Sequence, residues 1–69
     1  MHNIDIRDAI RRSGLYGYQI AAAIGLSETS FSRQLARAEL QDDMKQSIFH
    51  AIQNLVAERV QLEAKENER

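Results

Sequence analysis

The sequence predicts a single all-α domain, and three observations indicate this fold class. Residues that favour helices, among them Ala, Leu, Gln, Glu and Arg, are frequent, whereas proline is absent and glycine occurs three times in 69 residues. No Asn-Gly or Asp-Gly pair marks a β-hairpin, and no segment alternates strictly between apolar and polar residues. Apolar residues recur instead at intervals of three and four, the spacing of one helix face. We therefore expect residues 1–69 to form one small helical domain.

The first two helices are predicted from the residues at their ends. Asn3 is a residue type that caps helices, and the segment after it carries an apolar stripe at positions 6, 9 and 10. Gly14 is expected to end this helix, because glycine readily adopts the left-handed conformation that follows many helices. A short second helix extends from about residue 17 to Ile24, and Gly25 after it is expected to adopt the same conformation.

The third and fourth helices follow after this turn. Ser27 predicts the start of a third helix over residues 28–37, because a serine side chain can accept a hydrogen bond from the backbone beyond it. A long fourth helix is predicted from about residue 41 to residue 65, and we expect the charged end, residues 63–69, to fray. The apolar stripe of the fourth helix consists of Met44, Ile48, Phe49, Ile52, Leu55 and Val56.

The segment 17–37, GYQIAAAIGLSETSFSRQLAR, is the most informative part of the sequence. Two short helices that cross at a steep angle need a small residue at their contact, a glycine in the turn and apolar anchors on both sides. Ala21 supplies the small residue and Gly25 the turn. The anchors are Ile20, Ile24, Leu26, Phe31 and Leu35.

This segment resembles the helix-turn-helix of the Cro and phage-repressor (Xre) family. The likeness rests on a small residue four positions before the turn glycine and on the Gly-apolar-Ser sequence that follows, with residues 26–33, LSETSFSR, as the closest match. It implies a lambda-repressor-like domain of four or five helices with a long C-terminal helix. It also implies a small sequence-specific transcription regulator, a repressor of the phage or mobile-element type, that binds operator DNA as a dimer.

Three positions depart from the family pattern. Gln34 stands where many members have an apolar anchor, and Leu35 is expected to take over that role. Gly17 replaces the frequent glutamine at the start of the second helix. Arg37-Ala38-Glu39 replaces the usual glycine after the recognition helix.

The resemblance places the third helix in the major groove with its first residues toward the base edges. The base-reading candidates that it implies are Glu28, Thr29, Ser32 and Arg33. The DNA backbone candidates are Tyr16, Tyr18, Gln19, Ser27, Ser30 and Arg37. Tyr18 has an alternative interpretation as a core residue.

The charge distribution is compatible with a nucleic-acid partner. Residues 1–37 contain five basic and three acidic residues, a net charge of +2, while residues 38–69 contain four basic and seven acidic residues, a net charge of −3, which together give −1. So modest a basic excess allows few phosphate contacts, and a second subunit would double them. We therefore expect a homodimer on double-stranded DNA. The dimer-interface candidates are Phe49, Ile52, Val56, Val60 and Leu62.

Other functions are less well supported by the sequence. The alternative hypothesis is a protein-binding module, antitoxin-like or inhibitor-like, that uses the same fold against a protein partner. No pattern of catalytic nucleophile and base is present, and with no cysteine and two separate histidines we expect no enzyme, no metal site and no cofactor. The longest apolar run, residues 20–24, is too short to cross a membrane, and a cytoplasmic location in a bacterium or phage-infected cell is expected.

Overall fold

Four helices make up the protein in a computed structural model that describes residues 2–67, with side chains described as far as residue 61. They are α1 (Ile4–Ser13), α2 (Gly17–Ala23), α3 (Glu28–Arg37) and α4 (Asp42–Asn67). No strand occurs in the described range. The predicted all-α class is therefore confirmed, and the bounds of α2 and α3 lie within one residue of those expected from the sequence.

Local signals at the helix ends were predicted correctly at three positions. Gly14 and Gly25 have φ angles of 73° and 80°, in the left-handed region that other residues enter at a cost. The Ser27 side chain accepts a hydrogen bond of 3.1 Å from the backbone N–H of Ser30, so it caps α3.

The core lies where all four helices meet. Ile6 of α1, Ile20 of α2 and Ile48 of α4 are fully buried, and α3 contributes Phe31 and Leu35. Side chains from distant parts of the sequence thus form one close-packed cluster, in which loss of a single methylene group has a cost. The remaining members of the cluster are Leu15, Ala21, Ala51 and Ile52.

The fourth helix is longer than the width of the domain against which it packs. With 26 residues it measures about 39 Å, and the longest dimension of the protein is 47 Å, against 20 and 18 Å in the other directions. The helix continues to Asn67, two residues beyond the predicted end and through much of the segment expected to fray. Residues 68 and 69 of that segment lie outside the described residues.

Asn3 does not cap α1 with its side chain, so that prediction was wrong. Its backbone is left-handed, with φ 61° and ψ 43°, and it makes no side-chain hydrogen bond to the first turn. This conformation turns the side chain away from α1 and into the protein, where Asn3 is fully buried. The Asp5 carboxylate instead accepts a 2.9 Å hydrogen bond from the N–H of Ile6 in that turn.

The two ends of α1 are both bound to α4. Near its start, Asp5 forms an ion pair of 3.1 Å with Lys45. At its end, the Arg59 guanidinium donates a 2.9 Å hydrogen bond to the backbone carbonyl of Ser13, a group that has no partner within the helix. A cation at this position also interacts favourably with the helix dipole.

Candidate nucleic-acid interface

The turn between α2 and α3 has the geometry that its glycine predicts. The N–H of Gly25 donates to the carbonyl of Ala22 at 3.2 Å, and the N–H of Leu26 donates to that of Ala21 at 2.8 Å. This pair of bonds is the Schellman motif, in which a left-handed residue reverses the chain and satisfies the last carbonyls of a helix. Ala21 is fully buried, and α2 and α3 pack against each other.

The third helix has one buried and one exposed face. Phe31 and Leu35 are buried, which confirms Leu35 as the anchor in place of the half-buried Gln34. Thr29 and Arg33 lie on the opposite side, Ser32 lies on the flank about 100° from Phe31, and all three are exposed. The structure thus brings three of the four base-reading candidates together on one solvent-facing surface.

Glu28, the fourth candidate, is exposed but lies closer to the buried face. At 100° per residue it is about 60° from Phe31 around the helix axis, whereas Thr29 and Arg33 are roughly opposite Phe31. Its carboxylate is in the first turn, where it complements the helix dipole. The dipole alone explains this residue, so its role in base reading has less support than that of Arg33.

The two arginines of α3 differ in their partners from the two arginines at the end of α1. Arg11 and Arg12 share the carboxylate of Asp8, at 3.0 and 2.9 Å. Arg33 and Arg37 are exposed and form no ion pair within the described part of the chain. Their guanidinium groups are therefore the basic groups of this surface that no neighbouring carboxylate neutralises.

Tyr16 and Tyr18 form a stacked pair before and within the first turn of α2. Their ring centroids are 5.8 Å apart and their planes differ by 10°. They are 67% and 55% exposed, so the alternative interpretation of Tyr18 as a core residue was wrong. Stacking therefore pairs two largely exposed aromatic rings at the surface, next to the start of α2.

The other backbone candidates have structural roles of their own. The Gln19 side-chain carbonyl accepts a 2.9 Å hydrogen bond from the N–H of Tyr16, which closes the first turn of α2. Ser27 caps α3, and Ser30 is half-buried beside it. Arg37, in the last turn of α3, is exposed.

The dimer-interface candidates separate into two groups. Phe49 and Val56 are half-buried and Val60 is 56% exposed, and their spacing of seven and four residues puts them on one side of α4. Ile52 is buried in the core of its own chain, so its assignment to an interface was wrong. It follows Ile48 by four residues and therefore shares the core-facing side of the helix. The side chain of Leu62 lies outside those described.

Sequence reasoning missed a shallow cleft between the end of α2 and α4. It has a volume of about 560 Å³. Its lining combines apolar side chains with polar ones, among them His50 and Glu58. The cleft is lined by residues from positions 23–24 and 44–58, so no single segment of the sequence predicts it. Its apolar residues are Ala23, Ile24, Met44, Ala51 and Leu55.

Sequence reasoning also missed how the end of α3 is fixed. The Asn3 amide nitrogen Nδ2 donates to the carbonyls of Leu35 and Ala38, at 2.9 and 2.8 Å. Its Oδ1 accepts from the N–H of Leu40 at 2.8 Å. Asn3 therefore binds backbone groups at the end of α3 that a glycine turn after the helix would otherwise satisfy. This contact explains why the stretch Arg37-Ala38-Glu39 can end the helix without a glycine.

A charged cluster surrounds this contact. Lys45 Nζ lies 3.1 Å from Asp5 and 2.6 Å from Glu39, and the Glu39 carboxylate also accepts from the N–H of Asn3 at 2.6 Å. The hydrogen bond from Lys45 lowers the pKa of Asp5. The hydrogen bond from the N–H of Asn3 is the largest cause that lowers the pKa of Glu39, and the hydrogen bond from Lys45 is the second. Hydrogen bonds to the Glu39 and Asp5 carboxylates raise the pKa of Lys45. Each shift favours the charged form.

Comparison of the chain with protein-family models, curated proteins and solved structures gave no match. In the described part of the chain, none of the helices combines the length and apolarity needed to cross a membrane.

Proposed function

We propose that this protein is a small sequence-specific DNA-binding regulator that inserts α3 into the major groove of double-stranded DNA, with the architecture of a lambda-repressor-like helix-turn-helix domain. The observation that carries the proposal is the two-sided character of α3. Phe31 and Leu35 hold the helix on the core, while Thr29, Ser32 and Arg33 form an exposed polar face of the right chemistry to contact base edges.

Each residue of this face has a chemical role in the proposal. The Arg33 guanidinium donates two hydrogen bonds to O6 and N7 of a guanine, and the hydroxyls of Thr29 and Ser32 contact neighbouring bases. Arg37 and the Tyr16 and Tyr18 hydroxyls contact phosphates, which fixes the position of the protein on the duplex.

A homodimer completes the proposal. Phe49, Val56 and Val60 form an apolar stripe along α4 that is partly or largely exposed in the monomer. Pairing this stripe with that of a second copy removes apolar surface from water and yields two α3 helices related by a two-fold axis. Such a dimer binds a palindromic site with two half-sites.

The main test is DNA binding measured across a salt series, with a random duplex and with a duplex selected from a random pool. The affinity should fall linearly with salt on logarithmic axes, with a slope of about −0.9 per phosphate contacted. Arg33→Ala should reduce the preference for the selected duplex by about 1–3 kcal/mol. Arg12→Ala, which removes the same charge from α1, is the matched control and should leave that preference unchanged.

The same measurement separates the proposal from its alternative. If no duplex binds at low ionic strength, the DNA-binding proposal fails and the protein-binding module, antitoxin-like or inhibitor-like, becomes the better hypothesis. If Arg33→Ala and Arg12→Ala have equal effects, binding depends on charge alone and α3 does not read sequence.

The dimer has its own test. Light scattering at micromolar concentration should give twice the mass of the chain for the natural protein and the monomer mass for Val60→Glu. Gln61→Glu adds the same charge at the next, exposed position and should remain a dimer. A natural protein that is monomeric under these conditions would refute the dimer while leaving the DNA-binding proposal open to its separate test.

A further inference from the structure

The end of α3 is attached to the amino-terminal segment rather than to its own turn. Both the nitrogen and the oxygen of the Asn3 side-chain amide engage the segment 35–40: the NH2 group donates to the carbonyls of Leu35 and Ala38, and the oxygen accepts from the N–H of Leu40. The side chain is completely buried. The contact with the Leu35 carbonyl is buried and the other two are partly buried, so loss of the amide leaves at least one backbone group without an easy replacement partner.

The backbone of Asn3 is suited to the same task. Its left-handed conformation is one that asparagine, aspartate and glycine adopt more readily than other residues. The conformation also directs its N–H toward Glu39, which accepts it at 2.6 Å while pairing with Lys45 of α4. The end of α3 is therefore connected to the start of α1 and to α4 through a small number of polar contacts.

These contacts act on the helix that carries the proposed base-reading face. Arg37 lies two residues after Leu35 and one before Ala38, and Arg33 lies one turn earlier. The start of α3 is held by Ser27 and its middle by Phe31. Without Asn3, the last turn keeps Leu35 as its apolar anchor but loses the polar contacts that limit how the helix pivots about that core.

We propose that Asn3 is a positioning residue for DNA recognition, which fixes the orientation of α3 so that its side chains reach base edges with the required geometry. This inference rests on the proposed function. Hydrogen bonds to base edges tolerate little displacement, whereas long arginine side chains can follow a phosphate as the helix moves. Loss of the Asn3 contacts should therefore weaken binding to a selected site much more than binding to random DNA.

The test compares Asn3→Gly with Ile52→Val. The glycine keeps a residue that accepts the left-handed backbone and removes only the side-chain contacts, while Ile52→Val weakens the core at a residue of α4 that takes no part in the Asn3 contacts. Both are measured at low temperature, with binding normalised to the folded fraction from circular dichroism. Asn3→Gly should reduce affinity for the selected duplex about tenfold, as expected for loss of one good base contact, and change affinity for the random duplex less than about twofold. Ile52→Val should change neither.

A milder variant keeps the test decisive if Asn3→Gly does not fold. Glu39→Gln retains a side-chain oxygen for the N–H of Asn3 but loses the charge that pairs with Lys45, so its loss of selectivity should be smaller than that of Asn3→Gly and of the same sign. The inference is overturned if Asn3→Gly, or Glu39→Gln in its place, binds both duplexes as the natural protein does, or if it weakens both equally.

A measurement without DNA separates this inference from the proposed function. Amide hydrogen exchange should become faster at Leu40 and in the last turn of α3 in Asn3→Gly, and stay unchanged in the first turn. If the natural protein binds no DNA yet this change occurs, the proposed function fails and the attachment of α3 stands. If exchange rises uniformly along α3, Asn3 acts on global stability and the positioning role is refuted.

Discussion

The two ends of α3 are fixed in different ways. At its start, Ser27 accepts a hydrogen bond from Ser30, three residues away. At its end, the carbonyls of Leu35 and Ala38 accept hydrogen bonds from Asn3, more than thirty residues away in sequence. The first is a local contact that any helix can make with the right residue before it, and the second exists only when the domain is folded.

This difference has a consequence for how mutations act. A local cap contributes a limited amount that is similar from protein to protein. A buried amide that satisfies three backbone groups contributes more, because its removal takes the protein partner from all three, one of them buried and two partly buried. Four substitutions test this contrast between the two ends, and they are ordered by expected effect.

Asn3→Ala should have the largest effect, a loss of about 3–4 kcal/mol in the free energy of unfolding, because one buried and two partly buried backbone groups lose their partners and alanine is strained in the left-handed region. Urea unfolding followed by circular dichroism measures it. Asn3→Gly serves as the control and should recover about 1 kcal/mol of backbone strain. A loss below about 1 kcal/mol for Asn3→Ala, the size of a single exposed cap, would contradict the contrast.

Ser27→Ala should cost about 1 kcal/mol, the usual value for a serine cap. The matched control is Ser32→Ala, which removes the same hydroxyl from the exposed middle of α3 and should change stability by less than about 0.5 kcal/mol. If Ser27→Ala proves as destabilising as Asn3→Ala in the same urea titrations, the two ends are not held differently.

Ala38→Gly should destabilise slightly, by about 0.5–1 kcal/mol. Glycine after a helix normally helps by adopting the left-handed conformation, but Ala38 is extended, with φ −163° and ψ 163°, so glycine here adds only unfolded-state entropy. Thermal unfolding of the two proteins provides the comparison. A gain in stability would show that Asn3 is a poor substitute for the glycine turn.

Lys45→Met should have the smallest effect, because both carboxylates paired with Lys45 are about half exposed. Lys45 contributes to the lowered pKa of Asp5 and of Glu39, so the stabilisation is present above the pKa values of the unfolded chain and is lost as the pH falls through those of the folded protein. The raised pKa of Lys45 gives a contribution that is present at neutral pH and lost only as the pH rises through its folded-state pKa.

The measurement for this last substitution is the urea midpoint as a function of pH. The difference between the natural protein and Lys45→Met should be present at neutral pH and shrink below about pH 4, where free carboxylates take up protons. Gln46→Met, at the adjacent exposed position, controls for the added methionine. A difference that persists unchanged into acid would mean that Lys45 acts through packing of its alkyl chain rather than through its charge.

The features that sequence reasoning predicted correctly depend on neighbouring residues. Gly14, Gly25 and Ser27 each act within a few positions, and Phe31 and Leu35 repeat at the spacing of a helix face. These signals are sufficient for the all-α class and for the limits of α2 and α3. They also identify which residues of α3 face solvent, and therefore most of the candidate site.

The features that were missed depend on tertiary contacts. Asparagine before a helix is normally a cap, and nothing near Asn3 in the sequence indicates that its backbone is left-handed and its side chain directed to Leu40. Ile52 belongs to the broad apolar stripe of α4, and the stripe alone does not show which part the core covers. Both errors arise because a local sequence pattern shows where a helix starts and which side of it is apolar, but not which other part of the protein packs against it.

The burial of Asn3 also determines where the protein tolerates an attached label. A tag or fluorophore attached beside Asn3 lies next to a fully enclosed side chain and to contacts that reach the end of α3. On α4, Val60 is already mostly exposed. Labels and surface attachment for binding assays therefore belong on the exposed part of α4 rather than beside Asn3.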